Sequence, residues 1–188
     1  LGCIRYYQED KDRKYKFKIL SLDTANGLVN GDFNATSLWG LDEENNIYLL
    51  DLWIDRFKLD QLETQTCSII DNELPKFILI ESASTGISLI NRCEKKIYGR
   101  VLENNDPRKN TMVVKIKHNS TDKETRCLIA NSLISRGLVY FPEKDIERFV
   151  KHETKPITVM NELKQEMLIF PKESVHDDAV DSLSQALE

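Results

Sequence analysis

The last stretch of the chain, FPKESVHDDAVDSLSQALE (170–188), concentrates acids beside an apolar stripe. Read as a helix, it puts Val180, Leu183 and Leu187 on one face with Ala179 and Ala186 beside them, and Asp177, Asp178 and Asp181 on a contiguous arc of the other side. Carboxylates that close repel, by about 0.2–0.5 kcal/mol per exposed helix pair. One compensation is ordinary: the first turn of a helix favours anions, and Ser174 followed by Asp177 resembles a capping box. The other is a divalent cation, since carboxylate oxygens are the ligands that Mg²⁺ and Mn²⁺ prefer. One short helix cannot complete a coordination shell, so the second reading demands acids from elsewhere. His176, beside the acids, could serve as a ligand or a base, but it reads first as a residue of the helix start.

Two strand-like runs end in an acid: FKILSLD (17–23) ends at Asp23, and FILI (77–80) is followed by Glu81. Sites of open α/β sheets form outside the carboxyl ends of strands. A lone acid there is commonly a turn former or a cap. Acids from an early strand, a central strand and a late helix together are what holds two metal ions about 4 Å apart for phosphodiester hydrolysis.

The elements that must position these acids can be read in order. Residues 1–16 are polar and charged and read as a mobile lead-in. Strand 17–23 is followed by TANGLVNGDFNA, a turn rich in Gly, Asn and Asp; strands at 35–41 and 47–53 flank the polar turn DEENN, which makes a three-strand antiparallel meander. Apolar spacing predicts helices at 59–70, 84–93, 123–135, 146–150, 157–169 and in the terminal stretch, with strands at 77–80, 112–117 and 137–141. Strands first, then strands alternating with helices, predict an α/β fold: a mixed sheet with an antiparallel three-strand edge and helices on both faces.

Composition bounds the function. The chain has 188 residues, 40% hydrophobic and 30% charged, which suits one domain with a substantial core. No apolar run approaches the roughly 20 residues of a membrane span, and the first residues are too charged for a signal peptide, so the expected location is cytoplasmic. Cys3, Cys67, Cys93 and Cys127 form no C-x-x-C pair, so no zinc site or disulfide framework is expected. The first residue is Leu, which reads as a piece of something longer. A net charge of −5 argues against a passive nucleic-acid binder. A nuclease whose metal ions neutralise its own acids escapes that objection, given a local basic strip. Arg108, Lys109, Lys115, Lys117, Lys123, Arg126 and Arg136 supply a candidate strip.

From about Lys18 onward the chain resembles the nuclease domain of the phage terminase large subunit. The resemblance rests on SLDTA with the later GDFNA, the strands around LDEENNIYLLD, ILIESASTGISLI, KIKHNSTDKETRCLIANSLISRGLVYFP and FPKESVHDDAVDSLSQAL, in that order. It implies an RNase H-like (RuvC-like) fold over 17–188 after the lead-in, and an endonuclease using two Mg²⁺ or Mn²⁺ ions to cut double-stranded DNA during viral genome packaging. Asp23 would be the first catalytic acid, Glu81 the second, and Asp177 or Asp178 the third, with Asp32 and Asp181 as further metal-binding acids. Lys123 and Arg126 would meet phosphate, as would Lys115 and Lys117 of the basic strip. Implied partners are the terminase ATPase domain, the small terminase subunit and the portal, in a bacterial host cell, with the isolated domain monomeric. No G-x-x-x-x-G-K-[ST] phosphate loop is present, so the ATPase half is missing. Two alternatives stand beside this reading: another RNase H-like nuclease such as a Holliday-junction resolvase, and an inactive prophage remnant serving as a binding module.

Overall fold

The computed structural model describes residues 4–10, 12–24, 33–82, 84–98, 106–117, 122–148, 157–169 and 178–188. Among them the chain runs β1 (Arg5–Tyr7), β2 (Phe17–Asp23), β3 (Asn34–Leu41), β4 (Ile47–Asp55), α1 (Leu59–Glu73), β5 (Phe77–Glu81), α2 (Ser84–Tyr98), β6 (Met112–Ile116), α3 (Asp122–Ser135), β7 (Val139–Pro142), β8 (Glu147–Arg148), β9 (Ile157–Thr158), α4 (Val159–Ile169) and α5 (Asp178–Leu187). A short 3-10 turn, Pro107–Asn110, precedes β6.

Seven strands form one mixed sheet in the order β1-β7-β4-β3-β2-β5-β6. The meander β2–β3–β4 is antiparallel, as its polar turns require. It occupies the middle of the sheet and not the expected edge, because β7 adds in parallel to β4 and β1 in parallel to β7, while β5 and β6 extend the other side in parallel. The register shifts between Leu38 and Trp39, leaving Leu50 as an extra residue on β4. That bulge changes the inward phase of the strand. Leu49 and Leu52, three apart, therefore both reach the core on one face, while Leu50 and Trp53 pack against the other.

The pleat divides the core in two. On one face Leu20, Leu22, Ile78 and Ile80 meet Leu62, Ile69 and Ile70 of α1 and Leu89, Ile90, Cys93 and Ile97 of α2. On the other, Trp39, Leu49, Leu52 and Ile54 meet Ala130 and Ile134 of α3, Met160 and Leu163 of α4 and Val180, Leu183 and Leu187 of α5. Each fully buried aliphatic side chain contributes about 1.5–3 kcal/mol, so both helix layers are held by apolar burial. Gly137 stops α3 with φ at +72°, a conformation glycine adopts without strain, and the Leu138 N–H donates back to the Leu133 carbonyl at 3.1 Å.

Three further expectations differ from the structure. The polar lead-in contains β1, an edge strand. The Tyr7 hydroxyl donates to the Leu49 carbonyl at 2.7 Å, and the Arg13 guanidinium stands 4.4 Å over the Tyr48 ring. Residues 147–148, expected within a helix, pair with β9 as a two-stranded antiparallel ribbon, because a five-residue apolar spacing suits either state until a partner strand decides it. The helix expected from 157 starts at Val159 after the β-branched pair Ile157–Thr158. Helices α1 and α2 also run longer than their spacing suggested, α1 ending where Leu74 turns left-handed before Pro75. Cys67 and Cys93 are free thiols.

Burial drives the Cys93 thiol up to about 12, with neighbouring Cys67 adding in the same direction. A folded-state value above the unfolded one of 9 means that this contribution is complete below pH 9 and is lost as pH rises toward 12. We therefore expect the melting midpoint to fall steeply between pH 9 and 12, and Cys93→Ala, although less stable at neutral pH, to show a flatter alkaline decline in the same scan.

Candidate metal-dependent active site

Asp23 and Glu81 close two adjacent parallel strands. The last paired residues are Leu22 and Ile80, so each acid stands one step beyond its partner across strands about 4.8 Å apart. Their direction follows from the pleat. Leu22 and Ile80 belong to the core on the α1 and α2 side, so Asp23 and Glu81 face the opposite side, that of α5. Both acids are half-buried, and Ala35, which pairs with Asp23 across β3, is small and fully buried.

Helix α5 is docked on that side by a buried polar seam. Ser21 Oγ donates to the Ser182 carbonyl at 2.9 Å, and Ser182 Oγ donates to the Ser21 carbonyl at 3.1 Å. Ser37 Oγ lies 2.7 Å from Ser182 Oγ and accepts the Trp39 indole N–H at 2.8 Å. Because Ser182 spends its proton on Ser21, Ser37 is the donor in that pair. Three serines let helix and sheet approach closely where larger side chains would hold them apart. Asp178, one turn before Ser182, shares its sheet-facing side and is only 9% exposed.

The start of α5 is held from α4. Glu166, 8% exposed, accepts the Val180 N–H at 3.0 Å, which satisfies one of the first-turn donors of the helix. Sequence reasoning missed this residue, although Glu166 falls three after Leu163 and seven after Val159, on the apolar face of its own helix. Glu166→Ala should lower stability by about 1–2 kcal/mol, the usual cost of losing a helix cap, read as a shift of the denaturant midpoint at unchanged slope.

The expected cationic contacts divide differently. Arg126 is 5% exposed, and its guanidinium donates to Asp181 Oδ1 at 3.2 Å, which ties α3 to α5. Both residues thus have a structural engagement beside the roles the resemblance implies. Lys115 pairs with Glu94 of α2 at 3.0 Å, so it projects from the α2 side of the sheet, away from the two strand-end acids. Lys117 lies just beyond the end of β6. Asp32, Asp177 and His176 lie outside the described residues, as does the side chain of Lys123.

The donor set suits a hard divalent cation. Asp23, Glu81 and Asp178 offer only carboxylate oxygens. Thr24, next to Asp23 in sequence, has a buried hydroxyl oxygen with no hydrogen-bond partner, but it lies toward Gly86 of α2, on the other side of the sheet from the acids. Among the described residues no group of three His, Cys, Asp or Glu side chains stands in ligating position. The three elements therefore bring the acids to one side of the sheet without closing a complete shell from described residues alone.

Among curated proteins none matches the chain. Solved structures do. The large terminase nuclease of a thermophilic phage, with bound magnesium, aligns at TM-score 0.60 and 12% identity over 99% of this chain and 93% of that one. The human cytomegalovirus terminase nuclease domain, soaked in manganese with an inhibitor bound, aligns at 0.62 and 11% over 97% and 88%. The yeast mitochondrial Holliday junction resolvase aligns at 0.54 and 11% over 92% and 80%. At such identities the likeness fixes the fold, which is RNase H-like, with strand order and helix layers as described. A family model for the terminase RNaseH-like domain matches residues 20–188, a span that takes in Asp23, Glu81 and α5. With the fold, the order of its acid-bearing elements and this match in agreement, the chain belongs to the terminase RNaseH-like domain family.

Proposed function

We propose that the chain is a metal-dependent endonuclease that cuts double-stranded DNA during viral genome packaging. The observation that carries the reading is the placement of Asp23 and Glu81 at the ends of adjacent parallel strands, both on the side covered by α5 with its buried Asp178. These three, with Asp177, are the acids that would hold two Mg²⁺ or Mn²⁺ ions. Bound metal would supply charge neutralisation at the scissile phosphate and a water of lowered pKa.

The chain's own groups do the rest. The carboxylates of Asp23 and Glu81 would fix the reacting centre to the ends of two hydrogen-bonded strands of the sheet. Asp178 completes it from the helix, and the Arg126–Asp181 pair holds that helix against α3. Contacts to DNA would fall on the phosphate backbone, so little sequence preference is expected. By family, the working partners are the terminase ATPase domain, the small subunit and the portal, in the cytoplasm of a bacterial host. The described helices include none long and apolar enough to cross a membrane.

The test uses purified protein with linear duplex DNA. Cleavage in Mn²⁺, abolished by a chelator, supports the reading. Metal at about 100 times its dissociation constant stabilises by about 2.7 kcal/mol, which raises the melting midpoint by roughly 5–10 °C in a domain of this size. Absence of both effects contradicts it. The likeness to the yeast resolvase favours a second reading, in which branched DNA is the substrate. Cutting of four-way junctions in clear preference to linear duplex would select that one.

A further inference from the structure

Gln185 is a polar residue, 5% exposed, on the sheet-facing side of α5. Its Nε2 donates to Ser21 Oγ at 3.0 Å and lies 3.3 Å from the Leu79 carbonyl and 3.4 Å from the Leu22 carbonyl. Two carbonyls among the three acceptors fix the orientation of the amide, since only its nitrogen can face them. Those carbonyls belong to β2 and β5. Leu22 immediately precedes Asp23, and Leu79 is two residues before Glu81. One amide group thus joins the three elements that carry Asp23, Glu81 and Asp178.

Packing alone does not call for an amide there. A methionine has similar reach, and a buried amide costs free energy unless it is fully bonded. The acids supply the reason: without a cation they repel, and the repulsion acts to part β2 from β5 and α5 from both. We propose, resting on the nuclease reading above, that Gln185 is a positioning residue of the metal site, holding the two strand ends and α5 at the separation that cation binding requires. Gln185 touches neither substrate nor metal and acts through the backbone it holds. The nearby seam of Ser21, Ser37 and Ser182 sets how closely α5 approaches β2 and β3, whereas Gln185 also reaches β5.

The experiment measures Mn²⁺ binding by calorimetry on the whole chain, alongside steady-state cleavage. Gln185→Met should weaken Mn²⁺ binding by about tenfold or more, as loss of supporting groups around a metal does, while KM for DNA stays within twofold. Ser21→Ala, which removes one of the three acceptors, should weaken it in the same direction by less. Ile70→Val, in the core on the opposite face, should lower the melting midpoint and leave Mn²⁺ affinity unchanged. A folded Gln185→Met that binds Mn²⁺ as tightly as the unaltered chain overturns the inference. Should that variant not fold, unchanged affinity in Ser21→Ala overturns it instead. Failure of the unaltered chain to bind Mn²⁺ at all overturns the nuclease reading itself, and this inference with it.

Discussion

Asp23→Asn should abolish DNA cleavage, a fall of at least about 10³-fold, or roughly 4 kcal/mol of lost transition-state stabilisation, with the fold intact. The substitution keeps the shape of the side chain and removes its charge. In the metal-free chain that charge stands one strand away from Glu81 on the same side of the sheet, so its removal relieves repulsion. The melting midpoint in chelator should therefore stay level or rise slightly, and the rise produced by Mn²⁺ should shrink. Function and stability thus move in opposite directions, as they do at residues retained for chemistry against the interest of the fold. Cleavage assays and melting scans of the same preparation check both. Full activity in Asp23→Asn removes this residue from the mechanism.

Gly86→Ala should damage both stability and activity, although Gly86 lies in α2 and carries no side chain to act with. A Cβ at this position would fall 2.0 Å from the Glu81 carbonyl oxygen and 3.1 Å from Thr24 Oγ1. Ala in place of Gly inside a helix ordinarily gains about 0.5–1 kcal/mol. Here the clash wins, because the obstructing atom is backbone in a strand paired on both sides, between β2 and β6, and cannot yield as a flexible side chain would. Either α2 backs away from its core cluster or the end of β5 moves. Overpacking of this kind costs about 1–3 kcal/mol, and a displacement of about 1 Å at a reacting group costs on the order of 10²-fold in rate. We expect a melting midpoint several degrees lower and a turnover number reduced far beyond what the loss of folded fraction explains. A variant with undiminished stability and turnover would mean that α2 does not press on the Glu81 strand end.

The acids on strands were legible in sequence because each ends an apolar run, which marks both the strand and its end at once. Asp23 and Glu81 stand at the ends of β2 and β5, as those runs require. The last helix was only half legible. Its arc of acids is legible as lying opposite Val180, Leu183 and Leu187, but α5 is buried on nearly every side, between the sheet, α3 and α4, which the sequence does not show. A helix at the centre of a layer has no free face, so polarity along it marks internal bonding partners and not water. Ser182, Gln185 and Asp178 are all of this kind. Edge features failed for a different reason: β1 and the ribbon β8–β9 are two or three residues each, too short to show any period, and exist only through distant pairing partners. Arg126 stood out in sequence through its charge and the resemblance, whereas its burial and its bond to Asp181 are tertiary facts that no local pattern shows.

The most direct measurement is a crystal soaked in Mn²⁺, examined by anomalous scattering. Metal peaks are expected on the α5 side of the sheet, coordinated by Asp23, Glu81 and Asp178, with any remaining acid ligand drawn from Asp177. Well-ordered crystals in which these carboxylates bind no metal at millimolar Mn²⁺, or point to separate surfaces out of reach of a shared ion, would contradict the nuclease reading.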